Sequence, residues 1–250
     1  MRGAPKRTKF QDNAGREGSP GMIQRRSVLA AAAAAPLLGG AEDAAKDARA
    51  AMSPAQLALF ETPHLASLRP PLRLDYAFRR EEAGKDPVSD TIRLAVRALA
   101  DGNGCCHVSP EFLTGPRALP YPPASNFRGN PLLLFALDRD TRELSAATGG
   151  TPTWFRNRFR QALATAAELR PAEIEHDGRR VPASVITLSP YKGEARAGRY
   201  QHRLYAFTLS EAVPGSVQAI RADLPATGEA GAVVESIAFA GTARLAEGAG

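Results

Sequence analysis

Three consecutive residues, Cys105-Cys106-His107, carry the densest chemistry in the chain. Two thiols and an imidazole are donors of the kind that hold copper or zinc. On an extended segment, however, neighbouring side chains leave on opposite faces. The three reach one metal ion only if the backbone turns locally, and Gly104 is the residue placed to allow it. No second, spaced pair of ligands completes a four-ligand zinc site. The geometry therefore favours one buried cysteine beside a structural or surface histidine, with a vicinal disulfide as a further alternative in an oxidising compartment.

A second group is spread over Asn126-Phe127-Arg128-Gly129-Asn130-Pro131, Thr148-Gly149-Gly150 and Trp154-Phe155-Arg156-Asn157-Arg158. As the mouth of a binding site, these segments would supply Trp154 among the aromatics and Arg128 or Arg156 to pair an anionic group. The alternative is structural: the glycines and asparagines shape helix ends, and the arginines cover a helix surface with their stems. Signatures of catalysis are missing. There is no G-x-S-x-G elbow, and His64, His107, His176 and His202 lack a partner pattern. The carboxylates are too scattered for an acid/base pair to be nominated by spacing. Gly102 and Gly104 are not followed by a helix start that could cradle a phosphate. No catalytic residue is nominated, and these motifs leave the cofactor unknown.

Elements that would position these groups follow from hydrophobic period. Ser53-Pro54 opens a short helix through Phe60, as an N-cap with proline at the first helical position. From Leu72 the pattern alternates: Leu72, Leu74, Tyr76 and Phe78 share one face, and Ile92, Leu94 and Val96 repeat it after a loop containing Gly84. Such alternation marks antiparallel strands with one buried and one wet face. Asp101-Gly102-Asn103-Gly104 is a turn leading to a third strand over Cys105–Val108. Asn130-Pro131 opens a helix carrying Leu133, Leu134, Leu137 and Leu144, which Gly149-Gly150 stops. Thr151-Pro152 opens another, with the stripe Phe155, Phe159, Ala162, Leu163 and Ala166, closed by Pro171. Strands resume over 172–176, 181–188, 199–209, 217–224 and 233–240. Strands, two helices, then strands predict an α+β fold. Its mainly antiparallel sheet of about seven to nine strands must twist and curl.

Ahead of this body stands Arg25-Arg26-Ser27-Val28-Leu29 and an alanine-rich run to Leu38, with small residues at Gly39-Gly40-Ala41. A basic stretch, an apolar core of about 7–15 residues and a small-residue exit describe a removable secretory signal. The core falls short of the roughly 20 apolar residues that span a bilayer. No cysteine lies near Ala41 to accept a lipid anchor, so no permanent membrane anchor is expected. Residues 1–21 read either as an extension of the signal's charged region or as lying ahead of the true start, and Met22 is the favoured start. The paired Arg25-Arg26 before a weakly apolar core resembles the twin-arginine class of export signals. The general secretory route and an uncleaved anchor are the alternatives. That resemblance implies an export translocase as partner, a periplasmic destination and cleavage near Ala41. It also implies folding before export, which twin-arginine passengers often complete around a cofactor or a partner.

Removing the leader changes the reading of charge. The chain has 32 basic and 26 acidic residues, a net charge of +6. Seven of the basic and two of the acidic residues precede Ala41, which leaves 25 and 24 in the body. A nearly neutral body lacks the basic patch that nucleic-acid binding requires. The layout is then 1–41 as extension and export signal, 42–70 as tether and short helix, and 71–245 as one α+β domain.

In order of elements, roughly 72–245 resembles the half-barrel periplasmic carriers that shelter lipids and lipoproteins. The resemblance implies a non-catalytic binding or carrier protein for an apolar small molecule or lipid, held in an apolar concavity between sheet and helices. The alternatives are an exported enzyme and a cofactor-dependent accessory or assembly protein of a periplasmic oxidoreductase.

Overall fold

The order in which the strands lie across the sheet explains why the helices sit where they do. The computed structural model describes residues 51–99 and 105–246, all within one unit, Asp43–Gly250. The leader with Arg25 and Arg26, the cleavage site at Ala41, the tether and the 101–104 turn lie outside the described residues. Nine strands form one antiparallel sheet: β1 (Leu72–Glu82), β2 (Val88–Ala98), β3 (Cys106–Phe112), β4 (Ala124–Ser125), β5 (Glu168–His176), β6 (Arg179–Leu188), β7 (Leu204–Leu209), β8 (Val217–Leu224) and β9 (Val233–Arg244). Their spatial order is β4-β3-β2-β1-β9-β8-β7-β6-β5. The first and last strands therefore pair in mid-sheet, and β4 and β5 are the two outer edges. The segment joining β4 to β5 must return across a face, and it does so as α2 (Pro131–Thr148) and α3 (Pro152–Thr165). The α+β expectation holds, with the sheet curled and not closed into a barrel. His176, at the end of the β5 edge strand, lies 6.0 Å in ring separation from Phe239 of β9, four positions inward.

Local chemistry sets the helix boundaries. Asn130 Oδ1 accepts the Leu132 N–H at 3.0 Å, and Pro131 follows at the first helical position. Gly149, at φ 72°, ends α2 in the left-handed region that glycine enters without a Cβ penalty. Thr151 Oγ1 accepts the Trp154 N–H to open α3. A short helix α1 (Pro54–Gln56) runs on as a π-helical turn, Leu57–Glu61. Its capping box is complete, and the Ser53 hydroxyl also donates to the Leu163 carbonyl at 2.8 Å. Ala55, Leu59 and Leu65 are buried in the same core as the sheet and the long helices.

That core is built by the alternation itself. Leu74, Tyr76 and Phe78 of β1, Ile92, Leu94 and Val96 of β2, and Tyr205, Phe207 and Leu209 of β7 all face inward. Phe155, Phe159, Ala162 and Leu163 meet them from α3. Several boundaries differ from expectation: β3 runs on to Phe112 and β9 to Arg244, and two further differences are instructive. Helix α3 ends at Thr165, and Pro171 lies inside β5. An edge strand can leave one side of its ladder unpaired, so the missing N–H of proline costs nothing there. The segment Ala195–His202 is a 3₁₀ run kinked at Gly198, and β7 begins only at Leu204. None of the helices among the described residues is long and apolar enough to cross a membrane.

Candidate functional site

Helix α2 presents two different stripes, and they define two different places. Leu132, Leu133, Ala136, Arg139, Asp140 and Leu144 turn toward the sheet and are buried. Leu134, Leu137, Asp138 and Thr141 turn the other way, toward α3 and α1. Both sets recur at three- and four-residue steps, the spacing that puts side chains on one helix face.

The outward stripe lines a groove of about 540 Å³. Phe60 of the α1 segment, Phe127 of the loop before α2, and Phe159 and Leu163 of α3 complete its apolar surface. Leu134 is 42% exposed there, one of the few large apolar side chains on the described surface. Glu61, Asp138, Arg156 and Arg160 supply the charge. Arg128 stands beside the groove, its Nε 3.5 Å from Glu61 Oε2. The structure thus brings Arg156 and Arg128 to one groove. It does not bring Trp154, which leaves α3 on another side, stacks on Tyr191 at 6.4 Å and lies under the guanidinium groups of Arg158 and Arg196.

The inward stripe ends in a buried ion cluster. Arg203 donates to Asp140 Oδ1 at 2.6 Å and to Glu235 Oε2 at 2.7 Å. Arg139 and Arg80 each reach Glu235 Oε1 at 2.9 Å, and Arg139 also reaches Glu143 at 2.6 Å. The Tyr205 hydroxyl donates to Asp140 Oδ2. Burial opposes ionisation of Glu235, but Arg139 and Arg203 outweigh it and hold its carboxyl down at about 2. Burial pushes Asp140 up, against the pull of Arg203 and Tyr205. Carboxyls displaced in opposite directions are how acid and base roles are separated in active sites. Here the free volume beside them is about 30 Å³, room for a water molecule and no substrate. The cluster ties α2 to β1, β7 and β9, and it fills the space where an apolar concavity between sheet and helices was expected. The large apolar cavity lies on the opposite side of α2 instead.

Two further polar side chains, Asn130 and His64, make buried tertiary contacts that the sequence does not mark. Asn130 is fully buried: beyond its capping bond, Nδ2 donates to the Tyr76 hydroxyl at 3.1 Å and to the Gly215 carbonyl at 2.9 Å. Gly215 sits at φ 76°, and a Cβ there would meet Leu74 at 2.7 Å and Asn130 at 3.0 Å. His64 accepts the Asn130 backbone N–H at Nδ1 and donates from Nε2 to the Ala58 carbonyl. That pattern requires the neutral ring, and burial lowers its pKa accordingly. One signal for the ion cluster was available: Arg139 and Asp140 fall on the same helical stripe as Leu132, Leu133 and Ala136, where solvated charges do not belong. Their partners, Arg203 and Glu235, carry no local mark.

Cys105 and Cys106 are joined to each other as a vicinal disulfide. Cys105 Sγ lies 3.2 Å from the Leu65 carbonyl oxygen, and His107 Nδ1 lies 2.8 Å from Ser125 Oγ. The three do not converge as a ligand set, and a metal role would require the reduced pair. Among the described residues there is no group of three or more His, Cys, Asp or Glu side chains arranged to hold a metal ion.

No known family matches the chain, and no curated protein does. Among solved structures it is similar to one described as the complex structure of Pseudomonas aeruginosa MucA/MucB, at 19% identity and a TM-score of 0.30. The match covers 74% of this chain and 56% of that one, so this chain spans little more than half of that chain's length. At such a TM-score the likeness is too distant to carry fold or function across.

Proposed function

We propose that this is an exported, non-catalytic binding protein that takes an apolar small molecule or lipid in the groove between α1, α2 and α3. The observation that carries this reading is a concavity of about 540 Å³ whose apolar walls include Leu134, 42% exposed, on the outer side of α2. Pockets for small ligands run from about 300 to 1,000 Å³, mostly apolar with a few placed polar groups. The free space of about 30 Å³ at the Asp140 and Glu235 carboxyls supports a structural role for that pair. In the proposed layout, residues 1–41 direct export, 42–70 lead into the fold, and 71–245 form the binding domain in the periplasm.

Leu134→Asp tests the groove. The side chain is partly exposed, so the fold is expected to survive, while a charge now sits in the apolar wall. Affinity for a fluorescent long-chain probe should fall at least about tenfold, near 1.4 kcal/mol, in a direct titration. Undiminished probe affinity in that variant defeats the groove assignment. Location has its own test. Replacing Arg25-Arg26 by Lys-Lys should leave the precursor in the cytoplasm on cell fractionation, and unchanged export removes the twin-arginine route.

A further inference from the structure

The charges around the groove do not cancel, and the imbalance identifies the ligand's head. This step rests on the groove being the binding site. Glu61 is matched by Arg128, and Asp138 by Arg142 at 2.6 Å. Arg158, one residue group further round α3, is tied to Glu194 at 3.0 Å and lies against Trp154. Arg156 and Arg160 are different. Both line the groove, both are exposed, and among the described residues neither has an ion-pair partner. They are four residues apart, hence neighbours on one helix face, and like charges at that spacing repel. The first turn of α3 holds no acidic residue to offset them or the positive helix end beside them. An anion between the two guanidinium groups relieves all of this at once.

We propose that the groove takes a single-tailed amphiphile with a phosphate-monoester head: the acyl or alkyl tail on Phe60, Phe159, Leu163 and Leu134, the head on Arg156 and Arg160. Two guanidinium groups offer charge +2 and several N–H donors, which matches the near −2 charge and three acceptor oxygens of a phosphate monoester. An extended peptide fits the groove poorly. Its walls are largely helical, with backbone groups already bonded internally, so they present few main-chain partners to a strand.

The experiment is calorimetric titration of the full chain with dodecyl phosphate, dodecanoate, dodecanol and dodecylammonium, each below its micelle concentration. The wild type should bind dodecyl phosphate at least about tenfold tighter than dodecanol, with dodecanoate between. Arg156→Ala with Arg160→Ala should erase that difference, so that dodecyl phosphate binds no tighter than dodecanol. Arg156→Glu with Arg160→Glu should reverse it, so that dodecylammonium binds best. Equal affinity for the phosphate and the alcohol, or a preference that survives both double variants, overturns the head assignment while leaving the groove reading intact. Failure of all four probes to bind overturns both. Sedimentation with phosphatidic-acid vesicles but no uptake of monomeric dodecyl phosphate also overturns the proposal, in favour of docking on a membrane surface, and tighter binding of an acidic amphipathic helix overturns it in favour of a protein partner.

Discussion

Arg203→Leu should lower the free energy of unfolding by about 3–5 kcal/mol, the usual cost of removing one partner from a buried ion pair. Arg203 is 4% exposed and serves two buried carboxylates, Asp140 and Glu235, which its loss leaves without their shared guanidinium. Glu235 retains Arg139 and Arg80, so Asp140 carries most of the penalty, with only the Tyr205 hydroxyl left to it. Native domains are stable by about 5–15 kcal/mol in total, so the variant should show a midpoint in urea well below the wild type's. A loss under about 1 kcal/mol would mean the cluster is hydrated and not the anchor of α2 described above. Replacing Arg203, Asp140 and Glu235 together by apolar residues should cost far less than the single change, because no charge is left stranded.

Asn130→Ala should cost about 3 kcal/mol, about 1 for the lost helix cap and the rest for two buried acceptors deprived of their donor. The acceptors are the Tyr76 hydroxyl and the Gly215 carbonyl. Asn130→Ser separates the two contributions. Serine keeps the capping oxygen but does not span to Gly215, so it should recover only the cap, about 1 kcal/mol. Thermal unfolding of the three proteins reads this directly. Equal stability of the serine variant and the wild type would show that the tertiary bonds of Asn130 contribute nothing. His64 is expected to report locally, since its Nδ1 takes the Asn130 backbone N–H.

Much of the fold was legible because its signals are local. Alternation over Leu72–Phe78 and Ile92–Val96 marks strands, since one face of an antiparallel sheet is wet. Asn130-Pro131 and Thr151-Pro152 mark helix starts, and Gly149-Gly150 marks the stop between them. Pro171 misled, because proline ends a helix anywhere past its first turn but disrupts a sheet only in the interior. The span 199–203 misled too: the strand marked by Tyr205, Phe207 and Leu209 was carried back to Arg199, and the kink at Gly198 has no periodic signature. Arg156 and Arg128 could be nominated from their neighbours in sequence, yet the groove that unites them depends on α1 packing against α2 and α3. Trp154 was nominated on the same grounds and faces elsewhere, since two positions along a helix turn a side chain by more than half a circle. The Arg203–Asp140–Glu235 contacts join residues 32 to 63 positions apart, and no spacing rule connects such partners.

The bond between Cys105 and Cys106 encloses no intervening residue. A crosslink steadies a protein chiefly by shrinking the wandering of the unfolded chain, and that effect grows with the length of the ring it closes. This one closes the shortest ring a chain can make, so it withdraws almost no freedom. Assembly need not wait for oxygen or an oxidase: the chain can finish its tertiary structure with both thiols reduced and acquire this last covalent link afterwards without rearranging anything distant.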